Sequence, residues 1–496
     1  MKKLFSQSIL LISFLVFASS CALQESPITG QKRAYAYSWE QEVQIGRDVD
    51  RELVAEYGLY DDPAVDEYVY NLSKEILEAS HMRREGAQDM YRNTEFTFRV
   101  LDSPVVNAFA LPGGYIYVTR GLLAHLNNDA QLAVVQGHEI GHVAARHASQ
   151  RGLQQTLGQV AIIGGAILGQ ELLGLPGETI LNVSSQAAQF LFLSYSRDAE
   201  RESDRLGVEY AALSDYASEE GAAFFTSLKR MSERSGQSIP NMLSSHPNPG
   251  EREENIPRMA EEWREKGYEQ TRRNTESYMQ MLDGMVYGEN PRNGFVEDGQ
   301  YVHPELAFQL PVPEGWRSIN QPSQLVYVNP DGDAVMILRI DSQSATPRQS
   351  VEQLISQDGF EVQSEGEAQS SGKWQAYEAD AVLEDENGRL GINVYAVQYD
   401  GRIYRFINYT TESKFSALSP VFASVTGAFD ELTDERLLNI QPVRLQVSQV
   451  ERDTPFSELL PSQLPMNIDA DELAILNQVS MNDIISAGTY IKIPVQ

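Results

Sequence analysis

Apolar residues in the first part of the chain recur at three- and four-residue steps. Val43, Val49 and Leu53, then Val65, Val69, Leu72 and Ile76, alternate with charged positions, which predicts helical structure over residues 39–77 with one buried face. Residues 96–101 alternate instead, and residues 115–119 follow a Pro112-Gly113-Gly114 turn, so two strands are predicted there. Residues 122–146, 186–213 and 219–234 return to the helical period. Residues 153–175 are rich in Gly, Leu and Ile, but Gln159, Gln170 and Glu171 interrupt them, as do Gly158, Gly164, Gly165 and Gly169. These interruptions argue against a membrane span and predict a loosely packed helix or mobile cover beside the functional residues.

The texture changes over residues 290–300, where Asn, Pro, Gly and acidic residues mark a linker. Beyond it the period shifts toward two. Residues 324–328, 334–340, 374–381, 391–398 and 403–408 read as strands, and 351–356 and 414–428 as helices. That combination predicts an α+β domain with an antiparallel sheet. From residue 442 onward the pattern is strand, short helix, helix, strand. The chain is therefore expected to be multidomain: a leader over 1–20, a mainly α-helical domain with a small β-sheet over 21–290, the α+β domain over 291–440, and a small α/β module over 441–496.

A length of 496 residues fits two to four such units, and 42% apolar residues suffice for packed cores. Charge narrows the partners. With 39 basic against 70 acidic residues the net charge is −31, a surface that repels phosphate backbones, so nucleic acid is not expected as a partner. The single cysteine, Cys21, excludes a disulfide within the chain and leaves any metal to His and carboxylate ligands. Its position adds a compartment. Lys2 and Lys3, an apolar run over 4–17 and Ala18-Ser19-Ser20 precede it, the order of a secretory signal peptide. A cysteine directly after the small residues resembles a bacterial lipoprotein cleavage site. The expectation is a lipid-anchored protein on the periplasmic side, with Ala22 favouring the outer membrane.

The chemistry centres on His138-Glu139-Ile140-Gly141-His142, an H-E-x-x-H motif in a predicted helix. Positions i and i+4 share a helix face, so both imidazoles can reach one zinc. Glu139 between them lies beside the metal, placed to take a proton from a water whose pKa the metal lowers and to hand it to the leaving amine. Gly141 is expected to leave room beside the metal. A third ligand is required. The metzincin pattern fails, because Ala145 and Ala148 stand where it needs Gly and His. A carboxylate from another helix is the alternative, and Glu200 and Asp204 form an i, i+4 pair: one can ligate while the other orients a ligating histidine. Glu202 is expected to lie on a solvated face. His81, His125, His147 and His303 are expected to be structural or surface residues.

With Asn107 to Gly114 and Ser196 to Gly207 added to the H-E-x-x-H pentapeptide, residues 26–260 resemble the HtpX-like and CAAX-prenyl-protease-like gluzincin metallopeptidases, closest to their periplasmic BepA- and LoiP-like branch. The resemblance implies a zincin-like domain with one Zn2+ per chain. It implies that Glu200 is the third ligand and Asp204 supports a ligand from behind, with Ser203 where the family's E-x-x-A-D has Ala. It carries over a His-Pro segment and a following Arg, matching His246-Pro247 and Arg252; that histidine can sit on the open zinc position and hold the enzyme latent. It also implies that the 113–119 strand offers its edge to an extended substrate. The last fifty residues resemble a LysM module, which implies peptidoglycan binding. The expected function is a zinc endopeptidase of the bacterial envelope acting on unfolded or misassembled proteins. The alternative is a non-catalytic binding or assembly-factor lipoprotein, and a prenyl-peptide protease is disfavoured by export.

Overall fold

The computed structural model describes residues 22–153, 195–235, 242, 246, 249–371, 373–385, 388–465 and 468–496. The expected leader through Cys21, all but the start of the 153–175 segment, residues 186–194 and Pro247 lie outside the described residues. Among the described residues no helix is long and apolar enough to cross a membrane.

A short hairpin of β1 (Ala22–Glu25) and β2 (Lys32–Tyr35) leads into α1 (Trp39–Tyr57) and α2 (Pro63–Ala79). Local chemistry sets both helix starts. Ser38 and Gln41 close a reciprocal capping box, and Asp62 caps α2 ahead of Pro63 in the first turn. The face carrying Val65, Val69, Leu72 and Ile76 is buried, as its spacing predicts. A three-stranded sheet follows, of β3 (Thr97–Leu101), β4 (Ala108–Leu111) and β5 (Tyr115–Thr119), in the order β3-β5-β4.

That order corrects one expectation. The 115–119 strand is central, parallel to β3 on one side and antiparallel to β4 on the other, so it has no edge to offer. β4 was not foreseen as a strand. It folds back on β5 through Gly113 and Gly114, whose φ values of 79° and 100° suit only glycine; a Cβ on Gly113 would come within 2.4 Å of Val43 Cα on α1. β4 is thereby the outer strand. The far side of β3 is engaged by the 58–60 segment through Tyr60 N–H to Val100 O and Asp102 N–H to Gly58 O.

Residues 122–146 form two helices rather than one, α3 (Arg120–His125) and α4 (Asp129–Ala145). The break has a local cause: Leu126 is extended and the Asn128 side chain accepts from Gln131 N–H at 3.0 Å, starting a new helix. Every residue of α4 is buried. Across it runs α5 (Arg197–Leu213), followed by α6 (Gly221–Ser235), α7 (Pro249–Glu265) and α8 (Thr275–Leu282). The α4–α5 crossing is backbone against backbone. A Cβ on Gly137 would lie 2.9 Å from Gly207 O, and one on Gly207 would lie 2.9 Å from His138 N. Gly141 also serves this contact, since a Cβ there would meet Leu206 Cβ at 3.2 Å and Ser203 Cα at 3.4 Å. Its room is taken by α5 and not, as expected from the sequence, left beside the metal.

Residues 295–431 carry two antiparallel sheets. The larger has seven strands, with Ala334–Asp341, Gly388–Tyr399 and Arg402–Thr411 at its centre and Pro347–Ile355 and Glu412–Thr426 as its helices. The strands at 317–321 and 360–367 escaped the sequence reading because polar residues dominate them; the second is exposed along most of its length. The C-terminal residues form an antiparallel pair, Arg444–Gln449 with Tyr490–Val495, around the helix Ala470–Leu476.

These last elements share one apolar cluster with α2 to α8, through Leu445, Phe456, Leu473, Leu476 and Ile491. Polar contacts fix the docking. Lys492 is fully buried and its Nζ donates to Ala124 O (2.7 Å) and Leu126 O (2.9 Å). Gln478 Nε2 donates to His125 O between them (2.9 Å), so three successive carbonyls at the end of α3 are satisfied from the C-terminal elements. Asn477 holds Lys492 in place through Lys492 N–H (2.8 Å) and Lys492 O (2.9 Å).

Two stability predictions follow from the α3 corner. Lys492→Met keeps the aliphatic length but strands two buried carbonyls, and is expected to cost about 2–4 kcal/mol in denaturant unfolding. The second concerns pH. Burial holds His125 neutral, with its pKa pushed down to about 4, and does the same to His303; burial and the neighbouring Arg84 lower His81 to about 4. The unfolded chain, with ordinary histidines near 6.5, binds more protons between those limits. Stability is therefore fully present above pH ~6.5 and is lost as pH falls toward ~4; melting temperatures across that window should drop, with a shallower slope in His125→Gln.

Candidate metal centre

α4 and α5 bring four side chains to one point. One candidate ligand atom from each of His138, His142, Glu200 and His246 lies within 4.8 Å of the others, and all four residues are buried. The Nε2 atoms of His138 and His142 are 3.0 Å apart. His246 Nδ1 is 3.2 Å from His138 Nε2 and 3.0 Å from Glu200 Oε2. Glu200 Oε1 is 3.4 Å from His142 Nε2, and its Oε2 is 3.6 Å from His138 Nε2.

These separations fit a metal. Four ligands at zinc distances of about 2.0–2.1 Å in a tetrahedron stand about 3.3 Å apart, which is the spacing found. The donor chemistry agrees. His138 Nδ1 is 2.9 Å from Asp204 Oδ1 and His142 Nδ1 is 3.0 Å from His147 Nδ1. If the ring protons sit on those outer nitrogens, both Nε2 lone pairs converge on the centre with no proton between them, an arrangement a cation relieves.

Arg252, at the start of α7, ties the acidic side together. Its Nε donates to Asp204 Oδ2 at 2.8 Å, its Nη2 to Glu200 Oε2 and its Nη1 to His246 O at 3.3 Å, while its guanidinium lies 4.7 Å from the centre of the Phe225 ring. Burial works against charge on Glu200, but His246, His138 and Arg252 outweigh it and hold its pKa at about 2. Burial likewise opposes Asp204, and Arg252 and His138 hold it below the usual carboxylate range. Glu139 differs. Burial raises its pKa, offset only in part by His246 and His138. Both its oxygens are buried without a hydrogen-bond partner, and Oε1 is 3.6 Å from His246 Nε2. One carboxylate is thus kept ionised among cations while another stays an available proton acceptor, a division of roles set by surroundings.

All seven residues singled out from the sequence, His138, Glu139, His142, Glu200, Asp204, His246 and Arg252, meet here. Sequence reasoning missed three neighbours. Tyr195 stacks on the His142 ring, with centroids 4.2 Å apart at 25°. His147 is buried behind His142, and Glu202 turns inward to it, with Oε2 3.2 Å from His147 Nε2. His147 is thus structural, one of the two roles expected of it, whereas Glu202 does not keep to the solvated face expected of it. His147 stands five residues after His142, off the helical face, but α4 ends at Ala145 and Arg146 adopts a left-handed conformation (φ 59°, ψ 41°) that folds His147 back. Arg146 is held there by Glu42, by Gln24, by Tyr37 O and by stacking on Tyr35.

Two histidines from one helix and a glutamate from a second, with a further buried glutamate beside them, make up a candidate metal centre with the donor set that the gluzincin resemblance implies. Comparison with known proteins points the same way: residues 72–260 match the model of peptidase family M48, a family that uses zinc, and the buried His138, His142, Glu200 and His246 could hold such an ion. Among similar proteins, a putative beta-barrel assembly-enhancing protease of Vibrio cholerae is 30% identical over 232 residues, 46% of each chain. The mitochondrial metalloendopeptidase OMA1 of Bos taurus is 34% identical over 167 residues, 32% of this chain and 31% of that one. The beta-barrel assembly-enhancing protease of Escherichia coli K12 is 26% identical over 230 residues, 46% and 45%. The chain thus spans less than half the length of the curated relatives it matches. Cyanobacterial PsbP, a solved structure, is 15% identical and covers 27% of this chain and 91% of its own at a TM-score of 0.23, too low to assign a fold.

The helix crossing yields a test. Gly207→Ala places a methyl group against the His138 backbone and pushes α5 outward. A loss of about 1–3 kcal/mol in stability is expected, with weaker zinc binding in equilibrium dialysis because Glu200 withdraws with its helix.

Proposed function

We propose that the chain is a zinc-dependent endopeptidase of the bacterial cell envelope that hydrolyses peptide bonds in unfolded or misassembled proteins. The observation that carries this reading is the buried set of His138, His142 and Glu200 with an unpartnered Glu139 beside it. A protein that only bound partners would have no use for that carboxylate. The relatives' names, protease and metalloendopeptidase, support the same class.

In this mechanism His138, His142 and Glu200 hold the ion. Zinc so held supplies Lewis acidity, polarising the scissile carbonyl and acidifying water. Glu139 accepts the proton from the attacking water and delivers it to the departing amine, and its raised pKa suits both halves of that transfer. Asp204 fixes the ring of His138 from behind, and Arg252 secures Asp204 and Glu200 against rotation. An extended substrate would add along β4, not the 115–119 strand. Ala110 and Leu111 of β4 line a small cavity together with His142 and Tyr195.

His246 Nδ1, 3.2 Å from His138 Nε2 and 3.0 Å from Glu200 Oε2, would compete with a substrate oxygen for access to an ion held there. We read this as a latent state from which His246 must withdraw before cleavage. Anchoring through a lipidated Cys21 at the outer membrane, and peptidoglycan contact through residues 441–496, belong to the same proposal. They rest on the basic, apolar, small-residue order before Cys21 and on the closing Ala-Gly-x-x-Ile-x-Ile-Pro pattern.

Cleavage of casein by residues 22–496, with zinc content measured on the same sample, tests the reading. The wild type is expected to cleave, Glu139→Gln to keep zinc and lose at least ~100-fold in kcat, and His246→Ala to cleave faster than wild type. Stoichiometric zinc with no cleavage by either the wild type or His246→Ala would turn the assignment to a binding or assembly factor.

A further inference from the structure

The two histidines of the H-E-x-x-H motif are supported differently. His138 meets the Asp204 carboxylate directly. Among the described residues, His142 meets no carboxylate on its outer side. Its Nδ1 faces His147 Nδ1 at 3.0 Å, and His147 Nε2 in turn faces Glu202 Oε2 at 3.2 Å. The rings of His142 and His147 meet edge-on, with centroids 5.0 Å apart and planes at 72°, so an N–H of one can point at the other's lone pair. Among the described residues, Ser203 Oγ, 3.4 Å from His147 Nδ1, is the remaining polar contact on that ring.

Proton counting allows one arrangement that serves a metal. His142 must present the Nε2 lone pair, so its proton sits on Nδ1 and is donated to His147 Nδ1. That nitrogen must then be unprotonated, which puts the His147 proton on Nε2. From there it is donated to the Glu202 carboxylate oxygen. The carboxylate thus selects the tautomer of His147, and His147 selects that of His142. The order is fixed by geometry: α5 supplies Glu200, Glu202 and Asp204 at steps of two residues, and Arg146 swings His147 into the gap between α5 and His142.

We propose that Glu202, acting through His147, is the positioning element for His142, fixing the tautomer and ring orientation in which it binds metal. The assignment rests on the zinc reading of the centre. One stretch of α5 then serves the whole site, with Glu200 toward the ion, Asp204 behind His138 and Glu202 two bonds removed behind His142. Glu202 stays partly open to solvent, its side chain 28% exposed, so it can be altered without leaving a buried hole.

The test is zinc affinity of residues 22–496, measured by chelator competition, with the visible spectrum of the cobalt(II)-substituted protein as a second readout of ligand geometry. Glu202→Ala is expected to weaken zinc 10–100-fold and shift the cobalt bands, with the melting temperature of the metal-free protein unchanged. Glu202→Gln, whose amide oxygen still accepts from His147, should lose less. His147→Ala should lose as much as Glu202→Ala, and the double variant no more than His147→Ala alone, since both substitutions break one chain of bonds. Asp198→Ala, which removes an acid 94% exposed on the same helix, controls for general charge and should leave affinity unchanged. The inference is overturned if Glu202→Ala binds zinc within twofold of the unmodified chain. Additive losses in the double variant, or an equal loss in Asp198→Ala, overturn it too. Failure of the unmodified chain to take up zinc overturns the zinc reading itself, and this inference with it.

Discussion

Everything at the centre depends on how closely α4 and α5 approach. The carboxylates of one helix reach the imidazoles of the other only because Gly137 and Gly207 let the two backbones touch. With larger residues at the crossing, Glu200 and Asp204 would stand back from His138 by the width of a side chain. Charge separation inside a buried site would then lose the short contacts that offset desolvation. The buried acids and Arg252 are stable as a set and would be costly one at a time.

The same crossing explains the division of labour among the acids. Glu200 and Asp204, one turn apart, share a face of α5, while Glu202 lies off that face and meets His147 beyond the end of α4, so neighbouring carboxylates meet different partners. Glu200 is surrounded by histidines and Arg252, Asp204 by His138 and Arg252, Glu202 by His147. Glu139, on the opposing helix, has no cation in hydrogen-bonding contact. Residues of one chemical type are thereby separated by position alone into the ligand, support and proton acceptor of the proposed mechanism.

Much of this was legible in the sequence. The i, i+4 spacing of His138 and His142 and of Glu200 and Asp204 is a local property, and helical periodicity suffices to see it. What escaped depended on non-local geometry. The left-handed turn at Arg146, which brings His147 behind His142, is set by Glu42 and Tyr35 far away in sequence. The strand order β3-β5-β4 depends on how the Gly113-Gly114 turn packs on α1, and alternation does not encode it. Lys492 and Gln478 read as ordinary polar residues, yet they cap a helix end more than 350 residues away in the chain.

That last contact bears on how the protein is made. A chain synthesised from its amino terminus forms α3 and the metal-binding helix early, and residues 478 and 492 emerge at the end. Until they arrive, the carbonyls of Ala124, His125 and Leu126 have no protein partner, and the corner ahead of the H-E-x-x-H helix stays solvated. That corner of the fold is therefore closed only once synthesis is nearly finished, although the candidate ligands themselves lie within residues 138–246.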